Sequence, residues 1–275
     1  MKISTATSVL FQYSIQDAVA LVARLGFDGV DIWGGRPHVY RHDLTAEELH
    51  GLRRQIEDSG LTVVSLMPAF YRYPHSLSNP NPRVRADSID YMRECIDNAA
   101  ILGAGIVLVV PDHSLHGQSR QDARARFVES LAPVAEHAAQ VPLRLGLEIL
   151  YYDETDFVNS AADAQSIIAE VGAADMGVVL DTGTLNLSHE PLEAIFASLG
   201  SRVLQVHVND NHGQREQENL IPGEGTFDFR SLVRGLREQG YAGFLSAELT
   251  KGYADRAEEA LRTTGERLRG SLAEA

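Results

Sequence analysis

The stretch VLQVHVND, residues 203–210, decides the fold that we predict for this chain. Its apolar residues follow one another almost without interruption until His207 and the polar pair that comes after it. Such a run is typical of a strand buried on both faces of a parallel sheet. Three further stretches share the pattern: LRLGLEIL at 143–150, GVVLDTG at 177–183 and FLSAEL at 244–249.

Outward from these stretches, candidate strands alternate with helical patterns along the whole chain. The strands are predicted at residues 3–6, 29–33, 62–67, 106–110, 144–150, 177–181, 203–208 and 244–249. Eight strand–helix pairs in 275 residues favour an α/β fold, a single (β/α)8 TIM barrel, as one domain over residues 1–275. An open doubly wound sheet is the alternative, but no dinucleotide-binding fingerprint follows the first strand.

Several helix ends can be predicted from local signals. Thr45, followed three residues later by Glu48, forms a capping-box pattern before the second helix. Gly103 predicts the end of the helix that begins near residue 84, because glycine readily adopts a left-handed conformation there. Asp228 is a candidate N-cap, and the last helix is predicted over residues 255–269.

Composition and charge narrow the class of protein. The chain has 24 basic and 38 acidic residues, a formal net charge of −14, so we expect its surface to repel nucleic acid and anionic membranes. No apolar run reaches the roughly 18 residues that a membrane helix needs. Cys95 is the sole cysteine, which excludes an internal disulfide and fits a cytoplasmic location.

Four ionisable side chains stand at the ends of four consecutive predicted strands: Glu148, Asp181, His207 and Glu248. In a barrel these ends meet at one rim. Three neighbouring carboxylates repel one another unless they are protonated or bridged by a cation. The sequence therefore predicts a site for one divalent metal ion. Mn²⁺ is favoured by an oxygen-rich set without thiolate, with Co²⁺, Mg²⁺ and Zn²⁺ as alternatives.

The loops at the same rim supply candidate substrate contacts. These are Glu154, His113, Trp33, Arg36 and His38. The tryptophan belongs to the string WGGRPH and is predicted to form a wall of the pocket. An aromatic loop with Tyr71, Tyr73 and His75 is a candidate lid or subunit contact.

The order of the four rim residues resembles the xylose-isomerase-like barrel superfamily of sugar isomerases and epimerases. The strings LEILYYDE, VHVND, PGEG and SAEL carry this resemblance, which extends over essentially the whole chain. Within the superfamily, GFDGVDIWGGRPH and RYPHS resemble the ketose 3-epimerases that include fructoselysine 3-epimerase.

The resemblance implies a metal-dependent epimerase or isomerase that inverts C3 of a ketose or ketose conjugate through a metal-stabilised cis-enediolate. It implies that Glu148, Asp181, His207 and Glu248 bind the metal, and that Glu148 and Glu248 also act as the acid/base pair. Glu154 then contacts the hydroxyl end of a sugar substrate. A homodimer or homotetramer is expected on the same ground.

Three positions depart from the pattern of the ketose epimerases. Thr184 stands where many of them have a histidine, and Gly213 stands where they have an arginine. Asn219 replaces a histidine that often precedes the PGEG turn. We therefore expect an unusual substrate end of the pocket, with Arg215 as the side chain that reaches inward instead.

Other functions share this barrel. A lyase, either a dehydratase or the catalytic subunit of a C-glycoside deglycosidase with a small partner subunit, would use the same deprotonation followed by β-elimination. An apurinic endonuclease would need a multi-metal, histidine-rich cluster and a basic surface, which the net charge of −14 disfavours. A non-catalytic sugar-binding role is the remaining alternative.

Overall fold

A closed barrel of eight parallel strands forms the centre of the computed structural model, which describes residues 1–70, 74–215 and 218–275. The strands are β1 (Lys2–Ala6), β2 (Gly29–Gly34), β3 (Thr62–Pro68), β4 (Ile106–Val109), β5 (Arg144–Glu148), β6 (Gly177–Asp181), β7 (Val203–Val208) and β8 (Phe244–Ala247). Each strand pairs with the next, and β8 pairs with β1 to close the ring. The predicted (β/α)8 fold is confirmed.

Helices surround the barrel. They are α1 (Ile15–Arg24), α2 (Ala46–Asp58), α3 (Pro82–Leu102), α4 (Arg120–Ala138), α5 (Ala161–Val171), α6 (Thr182–Ser188), α7 (Leu192–Leu199), α8 (Phe229–Glu238) and α9 (Ala257–Glu274). Three predicted helix ends are confirmed: Thr45 and Glu48 form a capping box, and Asp228 accepts from the backbone of Arg230 and Ser231. Gly103 ends α3 with φ at 76°. The last helix, predicted over residues 255–269, instead spans Ala257–Glu274.

Three strands are shorter than their apolar runs predict. The run at 106–110 ends one residue early, at Val109. The run at 144–150 leaves the sheet after Glu148, because the Leu150 N–H donates to Val158 in its own loop, at 3.1 Å. The run at 244–249 leaves the sheet after Ala247, so Glu248 follows the strand directly. Helix α6 was not predicted, and it begins at once after β6 because the Asp181 side chain accepts from the Thr184 N–H.

Apolar side chains fill two regions. The main core lies between the outer faces of the strands and the helices. A smaller cluster of Ala6, Met67, Leu108 and Val179 has the opposite strand parity, so it faces the barrel interior. Two of its members, Met67 and Leu108, also line the cavity at the barrel mouth.

A polar layer also lies inside the barrel, where Asp31 pairs in register with Ala6 and Gln205 with Val179. The fully buried Asp31 accepts hydrogen bonds from Ser65 and Gln205, both at 2.6 Å, and from the hydroxyl of Ser246. Gln205 and Ser246 precede His207 and Glu248 by two residues on their strands, so the layer supports these rim residues from below. Hydrogen bonds from three strands satisfy this buried carboxylate, which sequence reasoning did not single out.

Candidate metal centre

The four predicted rim residues meet at the carboxyl ends of β5 to β8. Glu148 and Asp181 are the last residues of their strands, and His207 is the last but one of β7. Asp181 pairs in register with His207, and His207 with Ser246, two residues before Glu248. The strand ends therefore bring the four side chains together at one rim.

Their distances suit a shared cation. Each side chain offers one ligand atom, and these atoms all lie within 4.8 Å of one another. His207 Nδ1 lies 2.7 Å from Glu148 Oε1 and 3.0 Å from Glu248 Oε2. Glu148, Asp181 and His207 are buried, whereas the side chain of Glu248 is 26% exposed and faces the opening.

Crowding of like charges changes the acid–base properties of this group. Burial, reinforced by the carboxylates of Glu148 and Glu248, raises the pKa of Asp181 to about 7. Burial also raises the pKa of Glu148. Burial by itself lowers the pKa of His207, but Glu248 and Glu148 together raise that pKa well above its usual value. Three carboxylates against one imidazole leave an excess of negative charge in a buried place.

The donor set fits a divalent cation. Three carboxylates with a neutral imidazole carry three negative charges, of which one divalent ion would offset two. Nε2 of His207 is buried and has no hydrogen-bond partner among the described residues. Carboxylate oxygens with one imidazole nitrogen suit Mn²⁺, Mg²⁺, Co²⁺ or Zn²⁺.

Backbone and side-chain donors from neighbouring loops orient Asp181. Asn209 Nδ2 donates to Asp181 Oδ2 at 2.7 Å, and the Thr184 N–H donates to Oδ1 at 3.1 Å. Asn209 is itself tied to the start of α6, because its N–H donates to Thr182 Oγ1 at 2.9 Å. Gly183 is required beside this pair, since a Cβ there would lie 2.7 Å from Asn209 Oδ1 and 2.9 Å from Asp181 Oδ1.

The site opens into a cavity of about 470 Å³ at the barrel mouth. Glu148, Asp181 and Glu248 line one side of it. A second group of lining residues, the apolar side, comes from β3, β4 and the residues after them: Met67, Pro68, Ala69, Phe70, Leu108 and Val110. The cavity lining thus combines carboxylates with an apolar side.

The residues of the string WGGRPH take different positions: one lines the cavity, one packs against that residue, and one lies at the surface. Trp33 lines the cavity as predicted. His38 is buried beside it, with its ring edge-on to the indole at 5.9 Å, and its Nδ1 lies 3.0 Å from Thr7 Oγ1. Arg36 points to the surface, where it pairs with Asp43 at 2.6 Å. Neither Arg36 nor His38 lines the cavity, although sequence reasoning offered both as substrate contacts.

The remaining candidates also separate. Glu154 is buried and lines the cavity beside Glu148. His113 lies outside the cavity lining, with Nδ1 at 3.7 Å from Asp156 Oδ1. Arg215 is exposed and is not a lining residue. Tyr71 and Tyr73 lie outside the described residues, while His75 is buried in a stack with Tyr91, at 3.9 Å between ring centroids.

Sequence reasoning missed three residues at the site. Lys251 lines the cavity. It is the second residue after the SAEL string, and this closeness to a predicted rim residue could have identified it. Asn209 and Asp210 were visible as polar residues after strand seven, but which neighbours they hold depends on the fold. Asp210 accepts from four backbone N–H groups, including those of Gly223 and Gly225 in the PGEG turn.

Comparison with known proteins identifies relatives along nearly the whole chain. The family described as xylose isomerase-like TIM barrel matches residues 19–269. The fructoselysine 3-epimerase of Shigella flexneri is 28% identical over 260 residues, which cover 94% of this chain and 94% of the relative. The D-psicose 3-epimerase of Enterocloster bolteae is 25% identical, over 81% of this chain and 72% of the relative.

A solved structure supports the fold. The IOLI protein, crystallised with a bound zinc atom, superposes with a TM-score of 0.83 at 19% identity, covering 100% of this chain and 99% of the other. The sequence relatives are sugar epimerases, and they give no support to the lyase alternative or its small partner subunit. Within the described parts of the chain, none of the helices has the length and apolar character needed to span a membrane.

Proposed function

Because the chain belongs to the xylose isomerase-like TIM barrel family, we propose that it is a divalent-metal-dependent epimerase that inverts C3 of a ketose or ketose conjugate. The observation that carries this proposal is the convergence of Glu148, Asp181, His207 and Glu248 within 4.8 Å at the floor of an open cavity. Sequence relatives with 3-epimerase activity over most of their length support the same reaction.

Glu148, Asp181, His207 and Glu248 would hold the metal ion. Bound there, such an ion would supply Lewis acidity, which would polarise a substrate carbonyl group and acidify the adjacent C–H bond. Mn²⁺ is the ion that we favour for three carboxylates and an imidazole, with Co²⁺, Mg²⁺ and Zn²⁺ as alternatives.

Glu148 and Glu248 are proposed to move the proton. They stand on β5 and directly after β8, on either side of the other two ligands, and both line the cavity. One carboxylate removes the proton from C3, and the other returns a proton to the opposite face, which inverts the centre. Glu154, also a lining residue, is proposed to bind the substrate's hydroxyl end.

The cavity favours a ketose that carries an additional group. A volume of about 470 Å³ falls in the range of pockets that enclose drug-sized ligands, and an unmodified sugar leaves part of it unfilled. Its apolar side, with Phe70 and Val110, offers few hydrogen bonds to a polyol. Thr184 and Gly213 stand where epimerases of free ketoses have a histidine and an arginine, which agrees with a different substrate end.

Deuterium exchange tests this proposal directly. Chelator-treated protein, reloaded separately with Mn²⁺, Co²⁺, Mg²⁺ and Zn²⁺, is incubated in D₂O with ketoses, ketosamines and 3-keto-glycosides. We expect one deuteron at C3 and a C3 epimer, detected by NMR, and no exchange in the chelated protein. Release of an aglycone instead would indicate a lyase, and a lack of exchange with every metal and substrate would contradict the proposal.

Variants of the two glutamates separate catalysis from folding. Glu148→Gln and Glu248→Gln should each lower the exchange rate by a factor of about 10²–10⁴, the usual contribution of general acid–base catalysis. Glu129→Gln, an exposed change on α4 away from the barrel mouth, is the matched control and should leave the rate unchanged. Circular dichroism of each variant identifies any loss of folding.

We also propose that residues 1–275 act as one domain, in the cytoplasm, as a homodimer or homotetramer on small sugar substrates. The closed barrel uses strands from both ends of the chain, since β1 pairs with β8. A net charge of −14 and a single cysteine agree with the location and with the absence of nucleic-acid partners. Light scattering at micromolar concentration measures the assembly.

A further inference from the structure

Lys251 is a basic side chain on the wall of a cavity whose other charged residues are acidic. Among the described lining residues it stands with Glu148, Glu154, Asp181 and Glu248. It opens the short 3-10 turn Lys251–Arg256 that follows the loop after β8. The cavity therefore has a positive group at its wall, separate from the metal ligands at its floor.

The ammonium group of Lys251 has no carboxylate partner among the described residues. It makes a cation–π contact with Trp33, whose ring centroid lies 5.5 Å from Nζ. The chain contains only two lysines among its 24 basic residues, and the other, Lys2, packs on Phe244 at 5.8 Å. A cation–π contact positions an ammonium group and leaves its N–H donors available for a ligand.

Neighbouring residues fix the position of Trp33, which contacts this lysine. A Cβ on Gly35 would lie 2.4 Å from the indole ring, so the glycine makes room for the ring. The backbone N–H of Trp33 donates to Thr7 Oγ1 at 2.9 Å, and the backbone N–H of Val39 donates to the Trp33 carbonyl at 3.2 Å. His38 supports the ring edge. The indole face and the ammonium group thus form a defined pair at the wall.

We propose that Lys251 and Trp33 form a subsite for a carboxylate at the far end of the substrate's conjugate arm. This inference rests on the proposed function, because the reacting sugar must lie at the floor beside Glu148 and Glu248. An arm that leaves the sugar then runs along the apolar side of the cavity, past residues such as Phe70 and Val110. An acidic group on the arm is repelled by the acidic floor and attracted by Lys251.

The chemistry of the subsite favours a carboxylate over a phosphate ester. Phosphate sites in proteins usually gather several backbone N–H groups or arginines around a dianion. Here one ammonium group on an aromatic face provides a single positive charge, which matches a monoanion. The substrate class is therefore an amphipathic ketose conjugate that ends in a carboxylate.

Fluorescence and kinetics with a matched substrate pair test the subsite. Trp33 is the sole tryptophan, so its emission reports binding at this wall without any turnover. The probes are fructosyl-γ-aminobutyrate and its neutral amide, with fructosyl-glycine as a shorter acid. We expect the metal-loaded protein to prefer the longer acid over its amide by about tenfold in binding and in KM, with similar kcat, a difference of about 1.4 kcal/mol.

The variants assign this preference to one side chain. Lys251→Gln should abolish the preference through KM, and Lys251→Arg should retain most of it. Lys2→Gln removes the other lysine, at the opposite end of the barrel, and should change nothing. Equal affinity for acid and amide in the unmodified protein, or a preference that survives in Lys251→Gln, would overturn the proposal.

Two further results separate this inference from the proposed function. If C3 of the amide probe takes up deuterium but binding of the acid does not depend on Lys251, the subsite is contradicted and the proposed epimerase activity stands. Lys251-dependent binding of the acid without exchange contradicts the epimerase and supports the subsite. A Lys251-dependent preference for a ketose phosphate over both acids would overturn the carboxylate assignment.

Discussion

Asn209 shows how much of the proposed metal centre depends on a residue outside the ligand set. Its amide fixes Asp181 Oδ2 at 2.7 Å, while the Thr184 N–H fixes Oδ1. The carboxylate is thereby held at one orientation toward the other three donors. Groups that orient metal ligands commonly change the metal affinity by a factor of 10–100 when they are removed.

Asn209→Ala should weaken binding of Mn²⁺ by about 10–100-fold, because Asp181 loses the donor that orients it. Titration with Mn²⁺, followed by electron paramagnetic resonance of the free ion, measures the dissociation constant. Asn98→Ala is the control, because the Asn98 side chain on α3 donates to the backbone carbonyl of Arg41 and not to a proposed metal ligand. If both variants bind the ion as the unmodified protein does, Asn209 has no positioning role.

Neighbouring residues of one motif can face in different directions, and this limits what the sequence predicts. The strand predicted over residues 29–33 ends at Trp33, and in a barrel a residue at the end of a strand lies at the rim. The next residues lie in a turn, where Arg36 faces Asp43 and His38 packs behind the indole. Their directions depend on partners distant in sequence, such as Thr7, which no local pattern reveals.

At the scale of an element, the PGEG turn is organised by one carboxylate from the end of β7. Asp210 Oδ2 accepts from the Gly223 and Gly225 N–H groups at 2.8 and 2.9 Å. Oδ1 accepts from the Asn211 and Phe227 N–H groups at 2.9 and 3.1 Å. A Cβ on Gly225 would lie 2.3 Å from Asp210 Oδ1, so close approach of the backbone requires glycine here.

Asp210→Asn should destabilise the protein by about 3 kcal/mol, because the amide NH₂ faces two backbone donors that lose their acceptor. Urea unfolding followed by circular dichroism measures the change in the free energy of unfolding. Asp228→Asn makes the same chemical change at an exposed N-cap, where asparagine serves equally well, and should have little effect. Equal stabilities for the two variants would rule out the proposed role of Asp210.

Two buried titratable groups, His75 before α3 and Asp112 after β4, have opposite effects on how stability depends on pH. Burial lowers the pKa of His75 to about 4, within its stack against Tyr91 and Phe70. Burial raises the pKa of Asp112 to about 6, where it accepts from the Ser78 N–H at 2.9 Å. Protonation of His75 therefore opposes folding in acid, whereas protonation of Asp112 favours it.

The pH dependence of stability should separate these two groups. The contribution of His75 is present above pH 6.5 and is lost as the pH falls toward about 4, up to about 3 kcal/mol. The contribution of Asp112 is present below about pH 4 and is lost as the pH rises through about 6. His75→Gln should therefore flatten the acid decline in urea unfolding between these limits.

The matched variant is Asp112→Asn, which should steepen the acid decline, because it removes the contribution that grows as the pH falls. A decline that is the same in His75→Gln as in the unmodified protein would assign acid sensitivity to other residues. From the sequence, His75 was expected in a lid or subunit contact and Asp112 was not singled out, because burial of a loop histidine or aspartate follows from tertiary contacts.

Strands and rim residues could be predicted because one physical rule covers them. A strand buried on both faces is mostly apolar, so a charged residue in LEIL or VHVND is expected at the strand end. Asp31, inside β2, is an exception because three side chains donate hydrogen bonds to it. Element ends were less predictable: α6 depends on the side chain of Asp181 as its cap, and β5 ends where Leu150 bonds to Val158. Both events need partners that only the folded loops bring together.

At the scale of the whole molecule, the rim group joins four consecutive strands in a chain that already has excess negative charge. The formal charge is −14, and three of the acids meet with His207 at one point. A divalent cation at this point would bind the folded barrel and not the unfolded chain, in which the four residues are far apart. Binding of this kind stabilises the folded state according to the ratio of free ion to dissociation constant.

Metal removal should therefore lower the thermal stability of the whole barrel. At an ion concentration of about 100 times the dissociation constant, the gain is about 2.7 kcal/mol. For a chain of this size, that corresponds to a fall in Tm of roughly 5–11 °C after treatment with chelator, measured by calorimetry. In Asp181→Asn the shift between metal-loaded and chelated protein should nearly vanish, because one ligand charge is lost, while Asp228→Asn should keep the full shift. A shift that is as large in Asp181→Asn as in the unmodified protein would place the stabilising ion elsewhere than between β5 and β8.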